Sequence, residues 1–251
     1  MSAIHLSAII FILIIGGIFL GVLLRTVLPE THLSKDAQDV VRLGTGLVAT
    51  MAALVLGLLI ASAKTTYDTQ SSQVRQITAN LILVDTLLAQ YGKEAQPIRK
   101  AMRDGMEAFT DKIWSEKQSL TNRPFEASVS SERVYVAIQA LQPQNDLQKS
   151  LQARAVQAST EVAQTRMLLF VSAGELIPTP FLSILVFWLV IIFASFTIFT
   201  RLNATVIAFL SLFAFSASCA IFLILELSRP FTGLMMIDSA PLRNALAPIA
   251  S

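Results

Sequence analysis

Four uncharged apolar runs constrain this chain more than any other feature of its sequence. They are Ile4–Leu24, Leu43–Ala63, Phe181–Thr200 and Leu202–Leu225. An α-helix rises about 1.5 Å per residue, so roughly 20 residues cross the hydrocarbon core of a bilayer. The sequence therefore predicts an all-α membrane protein with four transmembrane helices. Only Arg201 separates the last two runs, which predicts a tight turn and an antiparallel hairpin.

Charged residues are concentrated between the second and third runs. Of the 36 Asp, Glu, Lys and Arg residues, 24 lie between Lys64 and Arg166. That density is ordinary for a water-soluble region, whereas the rest of the chain is far poorer in charge than soluble proteins are. The sequence is thus expected to divide into transmembrane helices 1 and 2 (1–63), a helical domain (64–166), a broken entry segment with transmembrane helices 3 and 4 (167–228) and a C-terminal tail (229–251).

Four crossings place both termini and the helical domain on the same side of the membrane. Basic residues near the span ends are more numerous on that side: Lys64, Arg75, Arg154, Arg166, Arg229 and Arg243, against Arg25, Lys35, Arg42 and Arg201. Cytoplasmic loops carry an excess of Lys and Arg, so this bias predicts that the termini and the helical domain are cytoplasmic.

The second span is expected to continue into water as one helix, because no Gly or Pro interrupts the chain between Lys64 and Gly92. Its exposed part carries a heptad seam of Val74, Ile77, Leu81, Val84, Leu88 and Tyr91. Such a seam packs against other helices. We expect those partners to be the later helices of the same domain; contact with neighbouring subunits is the alternative.

Three more helices are predicted in the domain. The first runs from about Pro97 to Gln118 and buries Ile98, Met102, Met106 and Phe109; the second spans Ser131–Leu141; the third begins near Asn145 and continues to Val171. Proline favours the first turn of a helix, and Ser or Asn favours the cap position. The intervening Thr121–Ser130 is expected to be a loop, and Gly174–Pro180 a break before the third span.

The residues available for catalysis are few. The chain has one cysteine, Cys219, and two histidines, His5 and His32. It contains no glycine-rich phosphate loop, HExxH motif or paired acidic motif, and no basic stripe with interleaved aromatics that would favour nucleic acid. We therefore expect neither an enzyme nor a protein that binds a metal, a cofactor or nucleic acid.

A narrow face of small residues marks the second span. Gly46, Ala49, Thr50, Ala53 and Gly57 fall at helical spacing. Small residues let another helix approach closely, which is their commoner use in membranes, but they also suit a water-filled path. Both interpretations stay open from the sequence.

If the second span lines a pore, six of its residues are candidates for lining or gating. They are Arg42, Thr45, Thr50, Met51, Leu54 and Leu58. Met51, Leu54 or Leu58 would form an apolar constriction that gates by dewetting, and the threonines would supply polar lining. Arg42 is either a snorkelling anchor or, around a symmetry axis, part of an anion-attracting ring.

Charged residues near the membrane are rare enough to single out. Glu175 lies in the broken segment and is expected to be an interfacial carboxylate, or alternatively part of an ion-attracting ring. Glu226 and Arg229 are three residues apart at the end of the fourth span, where a structural salt bridge is expected.

The tail begins at Arg229-Pro230, where proline stops the fourth helix. Its apolar residues Phe231, Leu234, Met235, Met236 and Ile237 are expected to pack on the helical domain; an interfacial or re-entrant segment is the alternative. Pro241 is expected to start a last short helix.

Three segments resemble the bacterial bestrophin-like domain family. They are Gly46–Lys64 (GLVATMAALVLGLLIASAK), Phe187–Asn203 (FWLVIIFASFTIFTRLN) and Leu225–Leu246 (LELSRPFTGLMMIDSAPLRNAL), and the similarity covers nearly the whole chain. The family name implies kinship with bestrophins, pentameric anion channels in which the second helix lines the pore and the helical domain extends it into the cytosol. The resemblance therefore implies an oligomer in the bacterial inner membrane, with a pentamer as the expected state.

Two bestrophin features are missing from the sequence. Only Asp238 is acidic beyond Arg229, so nothing resembles the calcium clasp, and Leu43–Ala63 contains no aromatic residue to form the aromatic neck. Calcium gating and bestrophin selectivity are therefore not carried over.

These observations lead to two hypotheses. The first is a homo-oligomeric ion channel whose axial pore is lined by the second transmembrane helix, with lipids, inorganic ions and other copies of itself as partners. The second is a non-conducting membrane scaffold or sensor that binds a protein through the helical domain.

Overall fold

The computed structural model describes residues 2–29, 34–114, 133–172, 179–200 and 203–250, and the regular structure in these ranges is entirely helical. The helices are α1 (Ala3–Val27), α2 (Lys35–Tyr91), α3 (Gln96–Ile113), α4 (133–139), α5 (Asp146–Ser172), α6 (Thr179–Ile198), α7 (Ala204–Leu227) and α8 (Ala240–Leu246), with 3₁₀ helices at Lys93–Ala95 and Ala247–Ala250. The all-helical class predicted from the sequence is confirmed over the described residues. Four of the helices, α1, α2, α6 and α7, are long and apolar enough to cross a membrane.

Helix α2 begins earlier than the sequence predicts. It starts at Lys35 rather than at the apolar run from Leu43, and its 57 residues make a helix of roughly 85 Å. The Ser34 hydroxyl accepts a hydrogen bond from the backbone N–H of Ala37, and Asp36 lies in the first turn, where a negative charge is favourable. Arg42 therefore lies inside a helix, about two turns after its first residue.

The chain forms two compact units. The first combines Met1–Thr65 with Leu176–Ser228, and the second combines Thr66–Glu175 with Arg229–Ser251. The unit boundary falls within α2, which contributes residues to both. Each unit thus draws on two stretches of chain that are far apart in the sequence.

Glycines bring α1 and α6 close together in the first unit. A Cβ added at Gly17 would lie 2.8 Å from the carbonyl oxygen of Val190, and one at Gly21 would collide with the Thr197 hydroxyl. That hydroxyl is 3.1 Å from the carbonyl oxygen of Ile18. Small residues let membrane helices approach in this way, so these two glycines serve packing. By contrast, a Cβ at Gly16 would meet nothing within 4 Å.

Helix α7 packs on another part of α1. The Ser218 hydroxyl donates to the carbonyl of Ser7 at 2.8 Å, and the rings of Phe11 and Phe215 meet edge to face at 6.3 Å. Positions along α1 pair with decreasing positions on α7 but with increasing positions on α6. Helix α1 therefore runs parallel to α6 and antiparallel to α7.

The heptad seam of α2 is part of the core of the second unit. All six of its residues, Val74 to Tyr91, are almost completely buried within the single chain. The predicted apolar face of α3 is buried in the same core, as are Val134 and Ile138 of α4 and Leu151 and Ala155 of α5. The prediction that the seam packs within its own domain is confirmed.

The tail contributes to this core as well. Phe231, Leu242 and Leu246 are buried in it, and the indole N–H of Trp114 donates to the carbonyl of Ile237 at 2.7 Å. The rings of Trp114 and Phe231 meet edge to face at 5.2 Å. The tail therefore packs on the helical domain through Phe231 and Ile237, whereas Leu234, Met235 and Met236, which were expected to pack there too, are exposed. Pro241 lies in the first turn of α8, as the sequence predicts.

Several predicted features lie outside the described residues. They are Glu175 and most of the Gly174–Pro180 break, the Thr121–Ser130 loop, and the Arg201–Leu202 part of the hairpin turn. The helix expected to run to Gln118 ends earlier, at Ile113, where the backbone N–H of Trp114 donates to the carbonyl of Thr110.

Candidate functional site: the membrane segment of α2

The membrane segment of α2 buries only a narrow stripe within the chain. From Arg42 to Ala63 the buried side chains are Thr45, Ala52, Leu59 and Ala63. Their spacings of seven, seven and four continue, through Gln70, into the seam that begins at Val74. One heptad stripe thus forms the inward face of α2 in both units, and most of the remaining surface of the membrane segment is uncovered.

Five of the six predicted pore residues are exposed on the described chain: Arg42 and the four that follow Thr45. Thr50 and Met51 are exposed, and Leu54 and Leu58 are 71% and 65% exposed. The Thr50 hydroxyl donates to the carbonyl of Gly46 at 2.9 Å, which satisfies its hydrogen within the helix. Leu43, Leu47, Met51, Leu54 and Leu58 follow spacings of four, four, three and four, so they make one continuous apolar row.

Thr45 lies on the opposite side of the helix from that row. At about 100° per residue it is half a turn from Leu54, and it is only 9% exposed. A straight helix cannot turn Thr45 and Leu54 towards the same axis. The structure therefore separates Thr45 from the leucines with which the sequence grouped it. Continuing the heptad spacing from Val74 towards the N-terminus predicts that Thr45 is buried.

The small-residue face of α2 is open within the chain. A Cβ added at Gly46 or at Gly57 would meet nothing within 4 Å. Thr50, Ala53 and Gly57 are exposed on the described chain, whereas Gly46 and Ala49 line a cavity beside α6 without the close contact seen at Gly17 and Gly21 of α1. Helix contact within the subunit thus does not account for these glycines in the described ranges.

Arg42 and Thr45 line a cavity of about 320 Å³ between α2 and the C-terminal end of α6. Gln38 contributes from α2, while Ser195, Phe196 and Phe199 contribute from α6 and the residues after it. Arg25 donates a hydrogen bond to the carbonyl of Thr200, which also lines the cavity. No sequence pattern links Arg42 to Phe199, more than 150 residues away, and the cavity was not predicted.

The predicted interface charges occupy different settings. Glu226 is 3% exposed in the last turn of α7, whereas Arg229 is half-buried and begins the segment after the unit boundary. Their predicted salt bridge stays a prediction, and Glu175 lies outside the described residues.

The helical domain contains a buried cation that the sequence did not single out. Arg166 is 6% exposed, and its guanidinium carbon lies 4.2 Å from the centroid of the Phe109 ring. Burial lowers the pKa of Arg166 to about 10, so the side chain is still charged at neutral pH. A guanidinium on a ring face gains a cation–π interaction, which partly offsets the cost of desolvation. Nothing in the sequence distinguishes Arg166 from the other basic residues of the domain.

Comparison with known proteins gives one match. The family model described as Bestrophin-like domain matches residues 12–242. No curated protein and no solved structure matches the chain. The matched range contains most of α1 and all of α2, α6 and α7.

Proposed function

The chain belongs to the Bestrophin-like domain family, and from that premise we propose that it is a homo-oligomeric ion channel with an axial pore lined by the membrane segment of α2. The proposal makes the chain a transport protein of the bacterial inner membrane rather than an enzyme. Its helical domain and both termini are cytoplasmic, and a pentamer is the proposed assembly.

The uncovered surface of α2 is the observation that carries the proposal. In the first unit α1 packs on both α6 and α7, whereas the row from Leu43 to Leu58 is exposed and a Cβ at Gly46 or Gly57 meets nothing within 4 Å among the described residues. Copies of α2 arranged around an axis would cover both features. The small residues would admit the neighbouring helix, and the leucine row would face the axis.

Gating follows from the chemistry of that row. Met51, Leu54 and Leu58 present only apolar groups, and a narrow apolar ring excludes water and therefore ions when it closes. Thr50, one helical turn from Leu54, supplies hydroxyl oxygens beside the ring. Arg42 lies nearer to the start of α2, beside the cavity, and the pore that we propose does not require it or Thr45 as lining.

Reactive cysteines test which face lines the pore. In a Cys219→Ser background, Leu54→Cys and Leu58→Cys are compared with Leu20→Cys, an exposed leucine of α1. The purified protein is reconstituted in planar bilayers and treated with a charged, water-soluble thiol reagent. We expect the reagent to reduce the current through the two α2 variants and to leave the Leu20→Cys current unchanged.

Two results would contradict the channel. One is the absence of current under any ion gradient from protein that keeps its native oligomeric mass. The other is equal inhibition at Leu20→Cys and Leu54→Cys, since a pore lined by α2 should protect α1 from the reagent.

A scaffold or sensor is the second candidate, and the segment between Pro230 and Ile237 favours it. The backbone N–H of Ile237 donates to the carbonyl of Pro230 at 2.6 Å, and the loop so closed exposes Leu234, Met235 and Met236. Exposed apolar side chains of this kind are typical of binding surfaces. The heptad seam is not available to a partner because it is buried. Site-specific crosslinking from Met236 in cells to one defined protein, lost on Leu234→Ser, would favour this candidate in a chain that does not conduct.

A further inference from the structure

The cavity between α2 and the end of α6 combines an arginine, a threonine hydroxyl and apolar side chains. We propose that it binds the phosphodiester headgroup of an anionic membrane phospholipid. The site lies wholly within the first compact unit, and its volume of about 320 Å³ accommodates a headgroup. Lipid binding does not require conduction, so the proposal stands independently of the channel.

Positive charge without negative charge makes the cavity suitable for an anion. Arg42 is among the lining residues, and none of the described lining residues is acidic. Arg25 does not line the cavity, but it donates a hydrogen bond to the carbonyl of Thr200, which does. Arginine is suited to this role because its planar donors match two phosphate oxygens at once.

Thr45 supplies a second, independent indication of a polar ligand. Threonines on membrane helices commonly donate to the carbonyl four residues earlier, as Thr50 and Thr65 of α2 do, both at 2.9 Å. Thr45 is 9% exposed, lines the cavity and has no hydrogen-bond partner among the described residues. Its hydroxyl group can therefore donate a hydrogen bond to a ligand in the cavity. A phosphate or ester oxygen in the cavity would accept its hydrogen.

The order of residues along α2 matches the polarity of a lipid. Gln38 and Arg42 lie at the end of the helix that precedes the apolar run, whereas Ala49 lies inside the run, roughly 16 Å beyond Gln38 and roughly 10 Å beyond Arg42. Phe196 and Ser195 lie deeper on α6 than Thr200 does. A headgroup phosphate beside Arg42 would thus continue into a glycerol and acyl chain beside Phe196. A free phosphate ion would gain no favourable contact with the apolar side chains of the cavity.

Native mass spectrometry of the full chain tests the site. Detergent micelles are supplied with either phosphatidylglycerol, which is anionic, or phosphatidylcholine, which is zwitterionic, and the lipid retained per subunit is measured. We expect the wild type to retain more phosphatidylglycerol. Arg42→Gln should reduce this retention roughly tenfold, the scale expected for loss of a charge-assisted hydrogen bond. Thr45→Val, which keeps the side-chain shape, should reduce it by a smaller factor.

Two controls remove the same groups elsewhere on α2. Arg75→Gln removes an exposed arginine of the second unit, and Thr65→Val removes an exposed hydroxyl away from the cavity. Both should retain lipid as the wild type does. Equal retention by Arg42→Gln, Thr45→Val and the controls would overturn the proposal. If Arg42→Gln fails to fold, Thr45→Val decides the test.

Two further outcomes identify other occupants. Inorganic phosphate that displaces phosphatidylglycerol at millimolar concentration would show that the cavity selects a soluble anion, and this would overturn the lipid assignment. A photoreactive phenylalanine at Phe199 should form adducts with lipid. Adducts with a neighbouring copy of the chain instead would also overturn it.

Discussion

Gly16 and Gly21 lie on the same helix but have different surroundings. A Cβ at Gly21 collides with the side chain and backbone of α6, whereas one at Gly16 meets nothing within 4 Å. The same contrast applies to ion pairs in the helical domain. Asp85 and Arg99 are largely buried and joined by two hydrogen bonds, while Arg103 and Glu107 are more exposed and joined by one. At the residue scale, stability is set by these surroundings rather than by residue type.

The first prediction concerns the two glycines. Gly21→Ala should destabilise the protein by about 1–3 kcal/mol, because overpacking forces α1 away from α6. Gly16→Ala should be neutral or stabilising by up to about 1 kcal/mol, because alanine is the better helix former. The midpoint of thermal unfolding in detergent measures both. Equal midpoints for the two variants would show that α1 and α6 do not pack as described.

The second prediction concerns the Asp85–Arg99 pair. The hydrogen bond from Arg99 to Asp85 raises the pKa of the arginine, so the charged form is favoured in the folded state. Asp85→Asn should lower the free energy of unfolding by about 1–3 kcal/mol, since it leaves a partly buried guanidinium without its counterion. Glu107→Gln, on the exposed pair, should cost less than about 0.5 kcal/mol. Denaturant titration of the two variants in parallel tests the difference.

At the scale of one element, α2 has one buried heptad stripe that contributes to both compact units. Leu81, in the part that belongs to the second unit, is 1% exposed, whereas the adjacent Ile82 is 49% exposed. Substituting Leu81 therefore cannot probe a partner surface while the domain stays folded. The seam belongs to the domain core.

The third prediction follows from that difference. Leu81→Asp should unfold the helical domain, because it buries a charge and removes a core side chain. Ile82→Asp should leave the fold intact. Protease resistance of the region around α3 distinguishes the two. A folded Leu81→Asp variant would contradict the described core.

The periodic parts of these elements could be predicted from the sequence. The seam of α2 and the buried face of α3 follow from spacings of three and four residues, because such spacings place side chains on the same side of a helix. The start of α2 was not predicted because a charge-free run shows only which part of a helix can cross a membrane, and the helix itself begins earlier. Ser34 and Asp36 are nevertheless residue types that favour a helix N-terminus. The Arg42–Phe199 cavity depends on the packing of segments far apart in the chain, which a single sequence does not encode locally.

At the scale of the whole molecule, the uncovered surface of α2 bears on assembly. If copies meet there, a large side chain on the small-residue face should disturb the oligomer without disturbing the subunit. The described chain leaves open space at Gly57, so the subunit itself can accommodate such a side chain.

The fourth prediction tests this. Gly57→Leu should shift the protein from its native oligomeric mass to smaller species, while Gly16→Leu, at an equally open position on α1, should not. Native mass spectrometry in detergent gives the masses, and circular dichroism checks that both variants stay helical. An unchanged mass for Gly57→Leu would place the subunit interface elsewhere.

The divided core of the second unit also has a consequence for synthesis. Phe231, Leu242 and Leu246 complete a core that α3 and α5 begin, and the ribosome must translate all of α6 and α7 between these segments. At roughly 5–20 residues per second, the nearly 60 residues from Ser172 to Phe231 impose a delay of about 3–12 seconds. During that delay the nascent domain exposes apolar surface around Trp114. Translation of α6 and α7 thus precedes closure of the domain, and chaperones that recognise nascent chains have their best opportunity to bind in this interval.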